Sequence, residues 1–184
     1  MRDLDHKSQN VQTIVKAYED YLLNDLGYAG FRYDMVKGFA ASHVGDYNTA
    51  AGVKYSVGEY WDGNANTVKA WIDGTGKCSA AFDFAFRYSV RDAINSQNWT
   101  VLGNSYTTGL NVDNGAYKRY SVTFVENHDV EYRSVSEQQD PIRRDTLAAN
   151  AYLLAMPGTP CVFYKHYLAY PKEIKAMIDA RKLA

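Results

Sequence analysis

Apolar positions along this chain switch between two periods. Over residues 11–25 they fall at Val11, Ile14, Val15, Tyr18 and Leu22, which is the stripe of an amphipathic helix. Ser8 or Asn10 is placed to cap its start, and Gly27 to end it. Short strand-like runs then recur at residues 29–35, 54–60, 80–86, 121–126 and 159–164. The gap after the first run is long enough for a crossover helix, and a short helix is expected through Val68 and Ile72. Residues 86–97 read as a helix and residues 106–116 as a loop rich in glycine and asparagine. A helix over 141–155 opens with proline in its first turn and stops at "MPG", and a last helix covers 171–184. Strands alternating with helices predict a parallel sheet wound by right-handed crossovers.

About five βα units are visible, whereas a closed (β/α)₈ barrel needs eight and typically about 250 residues. The expected fold class is therefore α/β, an incomplete (β/α)₈ TIM barrel of about five parallel βα units. The chain has 184 residues, a net charge of −1 and 46% hydrophobic residues, enough for one globular core. That charge gives no electrostatic footprint for nucleic acid or an anionic membrane surface. No apolar run has transmembrane length, and "MRDLDH" is too polar to be a signal peptide, so the compartment stays open. Cys78 and Cys161, far apart and flanked by apolar residues, are expected as small core fillers. His6, His43 and His166 show no metal-ligand spacing. Sixteen tyrosines and three tryptophans suit sugar stacking, and equally an ordinary tyrosine-rich surface.

Charged residues cluster at corresponding ends of three strands. In "GFRYDMVKG" alternation turns Arg32 and Asp34 to the same side. "SVGEYW" brings Glu59 to the equivalent rim, and "TFVENHD" brings Asn127, His128 and Asp129. One aspartate after a strand is an ordinary turn or cap residue. Three acidic residues at corresponding positions, with an arginine and a histidine beside them, point instead to a site at the carboxyl edge of a barrel. Retaining glycoside hydrolysis needs such a set: one ionised carboxylate as nucleophile and one carboxyl that keeps its proton. Arg32 would favour the charged form of Asp34, and Glu59 would need burial and a neighbouring negative charge. A third carboxylate can stabilise oxocarbenium-like charge.

In that order, "GFRYDMVKG", "VGEYW" and "FVENHD" resemble three signature regions of the α-amylase superfamily of glycoside hydrolases. The resemblance runs from "DLDH" to "PGTPCVFY" and so covers nearly the whole chain. It implies Asp34 as nucleophile, Glu59 as general acid/base and Asp129 as transition-state stabiliser. It further implies that Arg32 supports Asp34, that His128 binds sugar hydroxyls and that Lys37 contacts sugar on the leaving-group side. Tyr60 and Trp61 are candidates to stack on a glucose ring, with core packing as their other reading. The motif often has histidine where this chain has Gly38, whose backbone carbonyl can still serve a metal. Asp3 matches a structural calcium ligand and Asp5 is a further candidate, the other reading being an exposed acidic turn.

The resemblance also implies a partial catalytic barrel over 1–184, lacking the first three strands, the inserted domain and the C-terminal β-sandwich. The third-strand signature, an Asp followed by Asn-His, has no counterpart here. Two unpaired sheet edges are expected where the barrel should close. The expected ligand is an α-glucan or maltooligosaccharide. Expected protein partners are a complementary barrel half or a second copy of the chain. Three functions stay open: α-1,4-glucan hydrolysis by double displacement in a completed barrel, a non-catalytic half-barrel that binds sugar or a partner chain, and α-glucan transglycosylation.

Overall fold

Period-two and period-3.6 segments alternate in the computed structural model, which describes residues 4–102, 109–111, 115–137 and 139–183. They build two compact units, residues 1–61 with 67–82, and residues 62–66 with 83–184. The first unit contains α1 (Gln9–Asp20), β1 (Phe31–Tyr33), α2 (Ala41–Ala51), β2 (Ser56–Gly58), most of α3 (Ala65–Gly74) and β3 (Ala80–Phe82). β1 pairs with β2 in parallel, Phe31 opposite Ser56 and Tyr33 opposite Gly58, and β2 pairs with β3, Val57 opposite Ala80. Val36, Val44, Val68, Trp71 and Ile72 are buried in this unit. Gly58 is required where it stands, because a Cβ there would collide with the Trp71 ring.

The strands are shorter than the apolar runs predicted. β1 stops at Tyr33 because the chain then leaves the extended region: Met35 is left-handed at φ 49°, and a 3₁₀ turn covers Val36–Gly38. β3 stops at Phe82 because Asp83 starts a helix, its carboxylate accepting from Phe86 N–H at 2.9 Å. Around α1 the sequence places the ends well but misjudges the face. Ser8 stands at the N-cap without a side-chain bond, a wide π turn over Tyr21–Asp25 follows, and Gly27 has φ 74°. Ile14 and Tyr18 are 60% exposed, while the buried residue of the helix is Glu19.

Glu19 heads a buried polar chain. Tyr33 hydroxyl lies 3.0 Å from Glu19 Oε1 and 3.0 Å from Asn48 Oδ1. Asn48 donates to Ser56 Oγ at 2.7 Å, and Ser56 to Ser79 Oγ at 2.8 Å. α1, α2 and the first three strands are thus joined by hydrogen bonds as well as by apolar packing.

The second unit contains α4 (Phe84–Asn95), β4 (Ser121–Thr123), α5 (Thr146–Ala155), β5 (Thr159–Pro160), α6 (Tyr164–Ala169) and α7 (Pro171–Leu183). β4 and β5 are parallel, Val122 opposite Thr159. Phe86, Val90, Ile94, Val125, Ile142, Ala149 and Leu153 form its core. The expected helix over 141–155 begins five residues late. Pro141 precedes it in a non-helical segment whose backbone is bonded elsewhere: Asn95 Nδ2 donates to Pro141 O at 3.0 Å, and Arg143 N–H to Asn95 Oδ1 at 2.9 Å. β5 ends at Pro160, and the helix α6 was not foreseen. Both cysteines are free and exposed, against the expectation of core fillers. Of the expected loop over 106–116, residues 106–108 and 112–114 lie outside the described residues, and Gly109–Asn111 forms a 3₁₀ turn.

Burial pushes the Glu19 carboxyl up to about 7, against the opposing pull of the Tyr33 hydroxyl and the Lys16 charge. The folded state therefore holds a proton that the unfolded chain releases near 4.5. Stability should be highest below that value and fall as pH rises through about 7, by at most ~1 kcal/mol per pH unit for this one group. Glu19→Gln should flatten the dependence, measured as urea midpoints between pH 5 and 8. An unchanged slope would mean that Glu19 is ionised in the fold.

Candidate active site

One guanidinium organises the acidic residues at the end of β1 and β2. Arg32 Nη1 reaches Asp34 Oδ1 at 2.6 Å and Nη2 reaches Glu59 Oε1 at 2.9 Å. The parallel register brings them together. Tyr33 lies opposite Gly58, and Glu59 N–H donates to Tyr33 O at 2.9 Å, so the residue after each strand stands at the same rim. The left-handed turn at Met35 aims its N–H at Glu59 Oε2, 3.2 Å away. A non-glycine residue in that region costs on the order of 1 kcal/mol, and here the strain accompanies a bond to the buried carboxyl.

The two carboxylates differ in setting. The Asp34 side chain is 63% exposed and that of Glu59 only 6%. Burial raises the Glu59 pKa above its usual value, while Met35 N–H and the Arg32 charge oppose this. A side-chain hydrogen bond with Asp34 and the Asp34 charge raise it further. A buried carboxyl whose setting favours the protonated form thus stands next to a solvated carboxylate held by arginine, the asymmetry that acid-plus-nucleophile chemistry uses. Around this pair, Lys37 Nζ lies 5.1 Å above the Tyr60 ring, and Tyr60 leans on Trp71 at 5.9 Å between ring centres. Trp61 is 36% exposed.

His128 and Asp129 lie after β4 in the second unit. His128 Nε2 is 3.2 Å from Asp129 Oδ2, and Arg133 Nη2 is 3.9 Å from Asp129 Oδ1. Asn127 forms the turn that presents them, its Oδ1 accepting from Asp129 N–H and Val130 N–H, both at 3.0 Å. The preceding Glu126 is buried and serves the loop's far end, accepting Ile142 N–H at 3.1 Å. Burial raises its pKa to about 8, opposed by that N–H and by Arg87, 3.7 Å away. Burial also lowers the pKa of His166, whose Nε2 is 3.9 Å from Glu126 Oε2.

The family model described as the alpha amylase catalytic domain matches residues 1–175. The chain belongs to the α-amylase family. Probable alpha-amylase 2 of Arabidopsis thaliana is 30% identical, the match covering 98% of this chain and 47% of that protein. A glucan 1,4-alpha-maltotetraohydrolase of Stutzerimonas stutzeri is 31% identical over 89% of this chain and 32% of its own length. The chain therefore spans about half the length of the first of these relatives and a third of the second. Among solved structures, an α-amylase from Malbranchea cinnamomea superposes with a TM-score of 0.70 at 21% identity, covering 97% of this chain and 38% of that one. The five parallel βα units are part of an α-amylase-type (β/α) barrel.

The described residues do not assemble a calcium site. Asp3 lies outside them, and no group of three or more His, Cys, Asp or Glu is placed to hold a metal ion. Asp5 and the backbone of Gly38 border one cavity of about 320 Å³ with His6 and His43. Asp5 Oδ1 accepts Lys7 N–H at 3.0 Å, His6 Nδ1 lies 2.7 Å from the Tyr47 hydroxyl, and the His6 ring stacks on Phe39 at 4.1 Å. Asp5 and the Gly38 backbone are the members of the expected set among the described residues, fewer oxygens than the six to eight that calcium wants.

Residue types alone pointed to Arg32, Asp34 and Glu59. They gave no sign of Met35 N–H as a donor to Glu59, because only the left-handed turn aims it. Glu126 carried a signal, a charged residue inside a strand-like run, that its neighbours in "ENHD" overshadowed. Titration of Glu59 tests the electrostatics. Followed by carbon NMR of the carboxyl, it should lie above 4.5 in this chain, rise further in Arg32→Met and fall in Asp34→Asn. The same shift in both variants would contradict the opposed roles of the two neighbours.

Proposed function

We propose that this chain carries the acid/base and nucleophile of a glycoside hydrolase acting on α-1,4-glucosidic bonds of starch-type glucans. The observation that carries the reading is the buried Glu59, its pKa raised by desolvation, beside the solvated, arginine-paired Asp34. Asp34 attacks the anomeric carbon as Glu59 gives its proton to the leaving oxygen. Glu59 then takes a proton from water as the glycosyl ester is hydrolysed. Asp129 stabilises the oxocarbenium-like charge, His128 binds sugar hydroxyls, and Lys37 contacts sugar on the leaving-group side. Tyr60 and Trp61 offer stacking faces.

A retaining course is supported by the closeness of the two carboxyls. Inverting enzymes need roughly 6.5–9.5 Å between them for a water and retaining ones about 5–5.5 Å, and here one guanidinium spans the pair, Arg32 reaching Asp34 at 2.6 Å and Glu59 at 2.9 Å. The names of relatives, among them a maltotetraohydrolase, support glucan as the substrate class.

Completion of the barrel belongs to the same reading. Phe31 N–H bonds to Tyr55 O and Tyr33 O accepts Glu59 N–H. In a parallel pair alternate residues face the same neighbour, so the Arg32 backbone faces the other edge of β1. Exposed Ile14, Tyr18 and Tyr21 lie at helical spacing on α1 and the turn that continues it. That edge and stripe fit a further parallel strand–helix segment, supplied in cis, by a complementary half or by a second copy.

Release of a chromophore from a blocked maltooligosaccharide should be abolished by Asp34→Asn and by Glu59→Gln. It is to be measured for the chain alone and with the remaining barrel strands supplied, and light scattering should report assembly. The first sugar product should keep its anomeric configuration by proton NMR. Inversion, or full rate in Asp34→Asn, would overturn the nucleophile assignment.

A further inference from the structure

Hydrogen counting gives the buried chain that starts at Glu19 one more proton than an ionised carboxylate would leave it. Asn48 donates both of its amide hydrogens, one to Ser56 Oγ at 2.7 Å and one to Cys78 O at 3.0 Å. A carbonyl only accepts, so the amide cannot be turned round, and Asn48 Oδ1 faces Tyr33 as an acceptor. The Tyr33 hydroxyl lies 3.0 Å from that oxygen and 3.0 Å from Glu19 Oε1, with a single hydrogen to give. Both contacts are hydrogen bonds only when Glu19 supplies the second hydrogen. The other Glu19 oxygen, Oε2, is buried and accepts nothing, which suits a neutral acid and would leave a carboxylate poorly solvated.

With that proton in place the bonds run one way, from Glu19 to Tyr33, Asn48, Ser56, Ser79 and finally Ala80 O. Bonds aligned in one direction reinforce each other. An ionised Glu19 reverses the first link and takes the donor from Asn48. Tyr33 carries the consequence to the candidate site, because it stands between Arg32 and Asp34 and its carbonyl accepts Glu59 N–H at 2.9 Å. The titratable groups around the carboxyl are Lys16 on its own helix, Tyr33 on β1, and Tyr47 with Asp46 on α2. Cys78, ahead of β3, faces the Tyr33 hydroxyl.

We propose that Glu19, as the neutral acid, is a positioning residue for the Arg32–Asp34–Glu59 cluster, acting through the Tyr33 hydroxyl. Loss of its proton frees Tyr33 from Asn48 and shifts the end of β1, and with it the Met35 amide that serves Glu59. That cluster is the reacting one on the reading above, and the positioning role rests on that reading.

The test is NMR of the ¹³C,¹⁵N-labelled Glu59→Gln chain between about pH 5 and 8, a background in which no Glu59 proton moves the neighbouring shifts. The Glu19 carboxyl should titrate in this window, and the Met35 amide and Arg32 Nε–H should step at the same pH. Adding Glu19→Gln, which keeps a donor for Tyr33, should abolish the step and hold both signals at their low-pH positions. Adding Tyr33→Phe should also abolish it, with the signals displaced from those positions. Urea midpoints at the acid end establish that each chain is folded, and Glu19→Gln decides the matter even where Tyr33→Phe does not fold. A Glu19 carboxyl already ionised at the acid end would overturn the proton count and the positioning role together. A step that survives Glu19→Gln, or a Glu19 titration that Met35 and Arg32 do not follow, would overturn the positioning role. Neither result bears on glucan hydrolysis, which the turnover assay decides by itself.

Discussion

Parallel pairing of Tyr33 with Gly58 is the constraint on which the candidate site depends. It stops both strands at one level, ties Glu59 N–H to Tyr33 O, and leaves Asp34 and Glu59 one step beyond the pairing. A slip of one residue would reverse every side chain of β1 and take Arg32 away from both carboxylates. Two features hold the register. Gly58 has no Cβ because the Trp71 ring occupies that space. The Tyr33 hydroxyl is fixed by Glu19 and Asn48.

Electrostatics follow from that placement rather than from residue type. Asp34 and Glu59 meet the same guanidinium, yet Glu59 is buried and accepts the Met35 amide while Asp34 faces water. Desolvation is the largest influence on Glu59 and outweighs the opposing arginine charge. Two more buried carboxyls, Glu19 and Glu126, are raised by burial in the same way. Both do structural work: Glu19 joins α1 to β1, and Glu126 joins the two ends of the loop after β4. A raised carboxyl pKa in this chain marks a buried carboxyl, and only its company separates chemistry from architecture.

Loop control in the second unit uses α4 as its base. The Asp83 cap starts that helix, and its carboxylate also takes Leu110 N–H at 2.8 Å and the Ser121 hydroxyl at 2.9 Å. The same helix then grips residues 140–143 through Arg87, Arg91 and Asn95. Asp129 is 37% exposed by side chain, and its position is set by the short turn at Asn127 and by this distant clamp. A loop held at both ends can present an exposed carboxylate with little ordering left to do.

Sequence by itself determined the alternation of helices and strands, the family and the three carboxylate motifs, because periodicity and motif spacing are local properties. It also fixed that Arg32 and Asp34 share a side, since alternation along a strand needs no partner. It could not fix strand ends. Residues 80–86 read as one apolar run until Asp83 is seen capping a helix, and Pro141 reads as a helix start until α4 is seen holding its carbonyl. Nor could it find Glu19 buried, the cysteines exposed, or Met35 aiming its amide at Glu59. Those outcomes depend on which groups meet across the sheet and its helices. Burial and hydrogen bonding are properties of pairs distant in sequence, so only the tertiary structure decided them.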